Sequence, residues 1–475
     1  MFCDYDFKTM RTVKCDTVVI GGGLGGACAA IASGRGGAST ILVEADGVLG
    51  GQAGIGLVTP MSSCESRNGK SFGGLVKEIT DSVSLLTKKY VCSDPKENNI
   101  STISPQMTEY VLLKMALEAG VEVRFHTVLC DAETETGRIL SVVLLDKSGF
   151  LRIVAKNYID ASGDADLVFL SGDKYVLGSE KGVFNSFFET EFQIDGIDER
   201  SKKYNYEGLM QPTSLFFILR GVDYEKASNF NNKNISFGDL GITKEKFEKW
   251  CFAGTPGFEI TSNRVPMPQN RILVSHGRHK DEAVVNMSRV ININGASADD
   301  LSKGEIIARL QLIAIIDFLK TFIPGFENCY LVDTSSHLGV RESRRLIGKY
   351  VLTGKDVITC RHFDDAVCKA YYIIDIHDPS GNGKAIGGKI KGDYFEIPFG
   401  SLCSSVYSNL LVCGRCISSD HIAHSASRIQ GTCILTGQAV GTAAAISIRD
   451  GIHACEVSTE RLRKILCDDG VDLNE

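Results

Sequence analysis

Long uninterrupted apolar runs are missing from this chain of 475 residues. The most apolar later stretch, IIARLQLIAIIDFLKTFIPGF, is broken by Arg309, Asp317 and Lys320 and stopped by Pro324 and Gly325, the pattern of an amphipathic helix in water and not of a bilayer span. The opening MFCDYDFKTMRTVKCD holds neither an apolar core nor a small-residue cleavage pattern, so no export signal is expected and a cytoplasmic location is. Positive charge is in short supply: 51 Lys and Arg against 58 Asp and Glu leave a formal charge of −7, with no basic field to draw nucleic acid or an anionic membrane. Regular cysteine spacing is lacking as well. The sixteen cysteines are scattered, which points to reduced thiols used as small buried apolar groups, with no metal site. Cys413 and Cys416 in CGRC have the spacing of a redox pair, but they follow an apolar run and no second pair accompanies them. Internal repeats and low-complexity tracts are also absent.

What is present is a soluble composition, 43% hydrophobic and 23% charged, in a length that suits two or three domains. CDTVVIGGGLGGACAAIASGRGG reads as a buried strand over Thr17–Ile20, a glycine turn and an alanine-rich helix; STILVEAD then gives a second strand ending in Glu44. Gly21, Gly23 and Gly26 complete GxGxxG. The first permits the tight turn, the second lets backbone approach a pyrophosphate, and the third lets helix and strand pack closely. Glu44 stands 23 positions beyond Gly21, close to the roughly 20 expected of an acid that accepts hydrogen bonds from a ribose.

The dinucleotide is NAD or FAD by these residues alone. Three features favour FAD: the unit sits at the extreme N-terminus, GVLGGQAG offers a second glycine-rich surface, and the late strand ending in GRCISSD precedes a helix rich in small residues. IIDIHDPSGNGKAIGG is the nearest second fingerprint; strand-like DYFEIPF follows it where a helix is required, so it is read as a loop. From Met107 to Ala119 the pattern is helical, and short strands follow with turns at Thr136–Gly137 and Ser148–Gly149. The expected architecture is α/β, a Rossmann-like FAD-binding domain with an inserted α+β substrate domain. Residues 1–170 and 399–475 would form the first, and 171–398 the second.

HLGVRESRRLIGKY crowds Arg341, Glu342, Arg344, Arg345 and Lys349 together. Read as a helix, it puts Arg341 on one face with Arg344 or Arg345 and lets Glu342 pair with Arg345. By charge alone, that is a solvated ion-paired face or a holder of an anion.

Taken in order, VVIGGGLGG, YIDASGDADLVFLSG, MQPTSLFFILRGVD, VVNMSRV, FIPGFENCYLVDTSSHLGVRESRRLIGKYVLT, YYIIDIHDP, EIPFGSL and NLLVCGRCISSDHIAHSASRIQGTCILTGQAVGTAAAI resemble the FAD_oxidored family from about Asp16 to Ile446. That family is of the glutathione-reductase-like two-dinucleotide-binding-domain superfamily and distantly similar to fumarate reductase flavoproteins. The resemblance implies that Gly21, Gly23, Gly26 and Glu44 hold the ADP half of FAD. It sets Gly50, Gly51 and Gln52 along the phosphate or ring side, and Val128 against adenine through its backbone. Gly163 and Asp164 would close the β-meander over the nucleotide, Gly414 and Arg415 would reach the ribityl and pyrophosphate region, and the helix beginning near Gly431 would aim at the flavin pyrimidine. Arg341 or Arg344 would clamp an anionic or hydroxyl-rich substrate with Glu342 orienting the clamp. His377 in DIHDP would move the proton, with His337, His421 and His424 as further candidates.

The implied activity is that of an FAD-dependent dehydrogenase or reductase acting on a hydroxy acid, an unsaturated acid or a sugar derivative. The electron donor or acceptor and the direction stay unassigned, and a homo-oligomer stays open. The alternative is an electron-transfer flavoprotein subunit similar to the FAD part of heterodisulfide reductase, against which the irregular cysteine spacing speaks. A third reading keeps FAD as a structural or sensing ligand.

Overall fold

Four short runs, TVVI, TILV, NYID and LLV, are buried at every position, as strands covered on both faces must be. The computed structural model describes residues 10–92, 103–182, 207–228, 273–379 and 385–473. In it these runs and Glu122–Arg124 form a five-stranded parallel sheet in the spatial order Leu410–Val412, Asn157–Asp160, Thr17–Ile20, Thr40–Val43, Glu122–Arg124. Numbered along the chain this order is 5-4-1-2-3, the doubly wound Rossmann arrangement, with its switch point beside the first strand where a dinucleotide binds.

A second sheet, Arg11–Lys14, Gly149–Val154, Arg138–Asp146 and Val128–Glu135, lies against it through Val18, Ile20, Leu144 and Ile153. The helix expected from Met107 is found over Pro105–Glu118, where Ser104 caps its N-terminus and Pro105 occupies its first turn.

The helices Leu24–Arg35 and Gln430–Asp450 meet through glycine and alanine. A Cβ on Gly437 would stand 2.1 Å from the carbonyl oxygen of Gly25, and one on Gly441 2.1 Å from that of Ala29, so any larger residue would force the helices apart. Gln430–Asp450 is long and apolar enough to cross a bilayer, yet it lies inside the protein as a core helix.

Within the expected insertion, 171–398, the described side chains join two different cores. Between Leu215 and Leu338 an antiparallel sheet of Val274–His276, Ala283–Val285, Phe217–Arg220 and Tyr330–Thr334 packs on the helix Ala298–Phe322 around its own core, which includes Phe217, Val285, Ile315 and Phe318. Side chains from Leu352 to Cys403, by contrast, join the core of the nucleotide-binding helices.

Two local readings are corrected. IIDIHDPSGNGKAIGG, read as a loop, contains the paired strands Ile374–His377 and Ala385–Gly388, whose alternation Ile-Asp-Ile-His buries the isoleucines. The arginine-rich segment is extended and not helical: Arg344–Leu346 pairs antiparallel with Tyr175–Leu177. Its charges therefore point to different sides and find different partners.

Candidate active site

The glycine turn opens one wall of a cavity of about 1030 Å³ that runs from Glu44, Asp46 and Val128 past Gly21, Gly23, Gly50, Gly51, Gly163, Gly414 and Arg415 to Arg341, Tyr372, Asp375, His377 and Arg428. Gly21 has φ +98°, and a Cβ there would stand 2.5 Å from the carbonyl oxygen of Ala161, so the turn between strands excludes a side chain. A Cβ on Gly23 would meet nothing within 4 Å, whereas one on Gly26 would strike the carbonyl oxygen of Gly21 at 1.8 Å. Gly23 therefore faces open space suited to a ligand, and Gly26 lets the helix pack on the turn; Gly26 does not itself line the cavity.

Glu44 accepts from the backbone N–H of Gly22 at 2.6 Å and of Asp46 at 2.8 Å. Burial raises its carboxyl pKa, while these two bonds oppose the rise. Asp164 accepts from Arg415 Nη2 at 2.7 Å and from the hydroxyl of Ser343, and its carbonyl accepts from Arg344 Nε at 2.9 Å. Gly431 does not line the cavity. Its N–H donates to Ser62 O at 3.0 Å, and a Cβ would stand 2.1 Å from Ser63 O, so this glycine serves close packing while Arg428, Ile429, Gln430 and Cys433 present that end of the helix to the cavity.

On the opposite wall Arg341 is buried. It donates through Nη1 to Pro212 O at 2.6 Å and Ser214 Oγ at 2.7 Å. Its pKa is pulled down to about 9 by burial and by Arg289 and Arg428, with Asp375 opposing. Arginine stays charged at neutral pH, so burial first, and the two neighbouring guanidinium groups after it, make this charge costly to hold. Arg428 reaches Asp375 O at 3.3 Å and Gln211 Oε1 at 3.4 Å, and its Nε is buried without a protein partner.

Arg289 Nη2 lies 2.8 Å from His377 Nδ1. A guanidinium only donates, so Nδ1 accepts and the ring proton sits on Nε2, which is 3.5 Å from Asp375 Oδ2. Burial, then Arg341, pushes the His377 pKa down to about 3, with Asp375 opposing, and the imidazole is neutral. The Asp375 carboxyl is opposed by burial but held well below the usual range by His377, Arg428 and Arg341.

The other residues of the arginine-rich segment turn away from the cavity. Arg344 pairs with Asp166 and covers the ring of Phe169, 4.6 Å from its centroid. Glu342, expected to orient Arg341, makes no bond to it. Fully buried, it accepts from Arg345 Nη1 at 2.5 Å, pairs with His421 Nδ1 at 2.7 Å and accepts from Gln211 N at 3.2 Å. Burial opposes its charge, but His421 and Arg345 prevail and hold its pKa far below the usual carboxylate range. Arg345 adds bonds to Gly178 O, Ser419 O and Glu180. His424 Nε2 donates to Arg341 O at 3.0 Å, which anchors the backbone beneath the cavity-lining guanidinium. His337 lines the cavity next to Gln52.

The glycine surfaces, the open face at Gly23 and the carboxylate of Glu44 fit a dinucleotide along one wall. The family of FAD dependent oxidoreductases matches residues 16–466. The chain belongs to that family. This FAD-dependent oxidoreductase is similar in structure to a geranylgeranyl bacteriochlorophyll reductase-like protein from Thermoplasma acidophilum, with 11% identity over 97% of this chain and 94% of that one and a TM-score of 0.40. It is also similar to p-nitrophenol 4-monooxygenase from Pseudomonas putida DLL-E4, with 10% identity over 97% and 85% of the two chains and a TM-score of 0.42. A third is the myxobacterial chondrochloren halogenase, with 12% identity over 95% and 78% and a TM-score of 0.42. No curated protein matches the chain.

FAD is the cofactor of this oxidoreductase. Of the residues at this end of the cavity, the sequence pointed to Arg341 and His377 but not to Arg428, Asp375 and Tyr372, nor to Arg289 and Gln211 behind them. Apart from Tyr372 and Asp375, three positions from each other, those missed stand far apart along the chain; SASRIQG, which carries Arg428 just before the small-residue helix, held the one usable signal. Among the described residues no group of three or more His, Cys, Asp or Glu is arranged to hold a metal.

Proposed function

We propose that this flavoenzyme transfers a hydride between the flavin and a small anionic substrate, a hydroxy acid or unsaturated acid. The observation that carries this reading is that the guanidinium groups of Arg341 and Arg428 both line the cavity beside the carboxylate of Asp375. Two permanent cations beside one carboxylate would accept a substrate carboxylate, and a buried guanidinium offers a fork of matching shape. The same pair of cations favours an acid over a neutral sugar derivative.

FAD when bound supplies the two-electron acceptor or donor; the side chains orient the substrate and move its proton. Arg341 would bind the carboxylate, its donors aimed by Pro212 O and Ser214 Oγ. His377 has both ring nitrogens engaged, so Asp375 is the better proton acceptor, with His377 and Arg428 holding it ionised and in place. A substrate anion bound beside the arginines would share their field and so raise the basicity of Asp375 as it arrives. In the reductive direction the same carboxyl group would return the proton.

The test is anaerobic reduction of the bound flavin by a panel of small molecules, followed in the visible spectrum. Hydroxy acids should bleach the flavin, and their esters and amides should not. Equal bleaching by acids and neutral analogues would overturn the assignment.

A further inference from the structure

We propose that His337, carried by the inserted unit, binds the pyrophosphate of FAD, so that the cofactor site is completed by a residue from outside the nucleotide-binding fold. The position follows from contacts that start at the glycine turn. Gly23, with its face open to the cavity, is the glycine at which backbone approaches a pyrophosphate. Gly50 bridges to Gly23 and donates its N–H to Gly22 O at 2.9 Å, and Gly51 lies so close that a Cβ on it would stand 3.2 Å from Gly23 Cα. Gln52 follows directly, and its Nε2 is 3.0 Å from His337 Nε2. The His337 ring is therefore one side chain away from the phosphate seat, and it lines the same cavity as Gly23, Gly51 and Gln52.

The segment that carries the ring is held from both units. On the side of the inserted unit, Arg309 donates to Ser336 O at 2.9 Å, Glu305 accepts from Leu338 N, and Ser335 Oγ bonds His337 O at 2.5 Å. On the nucleotide side, Ser336 N donates to Ile55 O at 3.0 Å, and Asp46 Oδ2 lies 3.9 Å from His337 Nδ1. Such anchoring on two sides suits a group that must meet a ligand without reorganising.

A diphosphate brings negative charge, and the obvious cation for it, Arg415, is already matched: it donates to Asp164 at 2.7 Å and to Ser343 at 3.0 Å. The Gln52 amide N–H donates to His337 Nε2, which puts the ring proton on Nδ1; Asp46, 3.9 Å away, is beyond hydrogen-bond distance of it, so this N–H is the donor left for a phosphate oxygen.

The test uses full-length protein stripped of FAD and titrated with three probes: FAD, ADP, which carries the diphosphate without the flavin, and riboflavin, which carries the flavin without phosphate. His337→Ala should weaken FAD and ADP roughly ten- to a hundredfold, the worth of a hydrogen bond to a charged group, and leave riboflavin unchanged. His337→Lys should recover more ADP affinity than His337→Gln. A mere strut between the units would instead lower the melting temperature of the stripped protein and weaken all three probes alike; that pattern, or no loss for ADP, would overturn the proposal. Should the alanine variant fail to fold, the glutamine and lysine variants give the same comparison. None of these readouts involves the substrate, so this inference and the substrate assignment fail independently.

Discussion

Replacing Arg341 with methionine separates what the site needs for stability from what it needs for chemistry. In the folded chain, burial and the neighbours Arg289 and Arg428 pull the guanidinium pKa from its ordinary value to about 9. At about 1.4 kcal/mol per pKa unit, holding the charge there at neutral pH disfavours folding by about 5 kcal/mol. Against that stand two short hydrogen bonds, to Pro212 O and Ser214 Oγ, each worth about 1.5–3 kcal/mol for a charged donor. The terms offset, and Arg341→Met should change the unfolding free energy by less than about 2 kcal/mol, where loss of an ordinary buried ion partner costs about 3–5 kcal/mol. The assay is urea unfolding of the flavin-loaded protein with and without a saturating hydroxy acid. The wild type should gain stability from the ligand through mass action, and the variant should gain none while keeping its flavin. A loss above about 3 kcal/mol, or an undiminished ligand effect in the variant, would refute the reasoning that the arginines are poised for an absent anion.

Glu342→Gln should be far more costly, about 3–5 kcal/mol in the same unfolding assay, because it strips the charge that faces fully buried Arg345 and His421; a loss under about 1 kcal/mol would contradict the network. His377→Gln should alter the pH dependence of stability. The native imidazole is neutral down to about pH 3, whereas the unfolded chain takes up a proton below its ordinary value of 6.5, so the wild type loses stability as pH falls through 6.5. Between pH 7.5 and pH 5 the variant should therefore gain on the wild type by about 2 kcal/mol, and parallel curves would show that His377 is not buried neutral.

The nucleotide side was legible because its requirements are local. Gly21, Gly23, Gly26 and Glu44 lie within one strand–turn–helix–strand unit, and the steric demands of each glycine follow from its neighbours in sequence. The pairing of Glu342 with Arg345 was also visible, since three positions apart suffices for contact. What failed was the helix drawn through that segment. Spacing of charges suggested one, but Arg341, Arg344 and Arg345 are satisfied by Ser214, Asp166 and Glu180, remote positions that can be reached only from an extended chain. The proposed substrate wall was illegible for the same reason: the groups around Arg341, namely Arg289, Asp375 and Arg428, come from three segments that tertiary folding alone brings together. His377 was singled out by its motif, yet its engagement by Arg289 depends on a residue 88 positions away. The paired strands Ile374–His377 and Ala385–Gly388 had a signal, the alternation of isoleucine with polar residues, but weighed as a dinucleotide fingerprint the segment reads as a loop, because strand-like DYFEIPF follows where a helix is required.

The glycine and alanine seam between Leu24–Arg35 and Gln430–Asp450 has a consequence for biosynthesis. The first helix leaves the ribosome with its turn already specified, but the helix that must lie against it, and the edge strand Leu410–Val412, are translated some four hundred residues later. The nucleotide cleft of a nascent chain therefore stays unclosed while those residues are made, and cofactor loading waits for the second helix. Cells short of flavin would accumulate chains whose two ends have met around nothing, and these are the molecules that quality control would be expected to remove first.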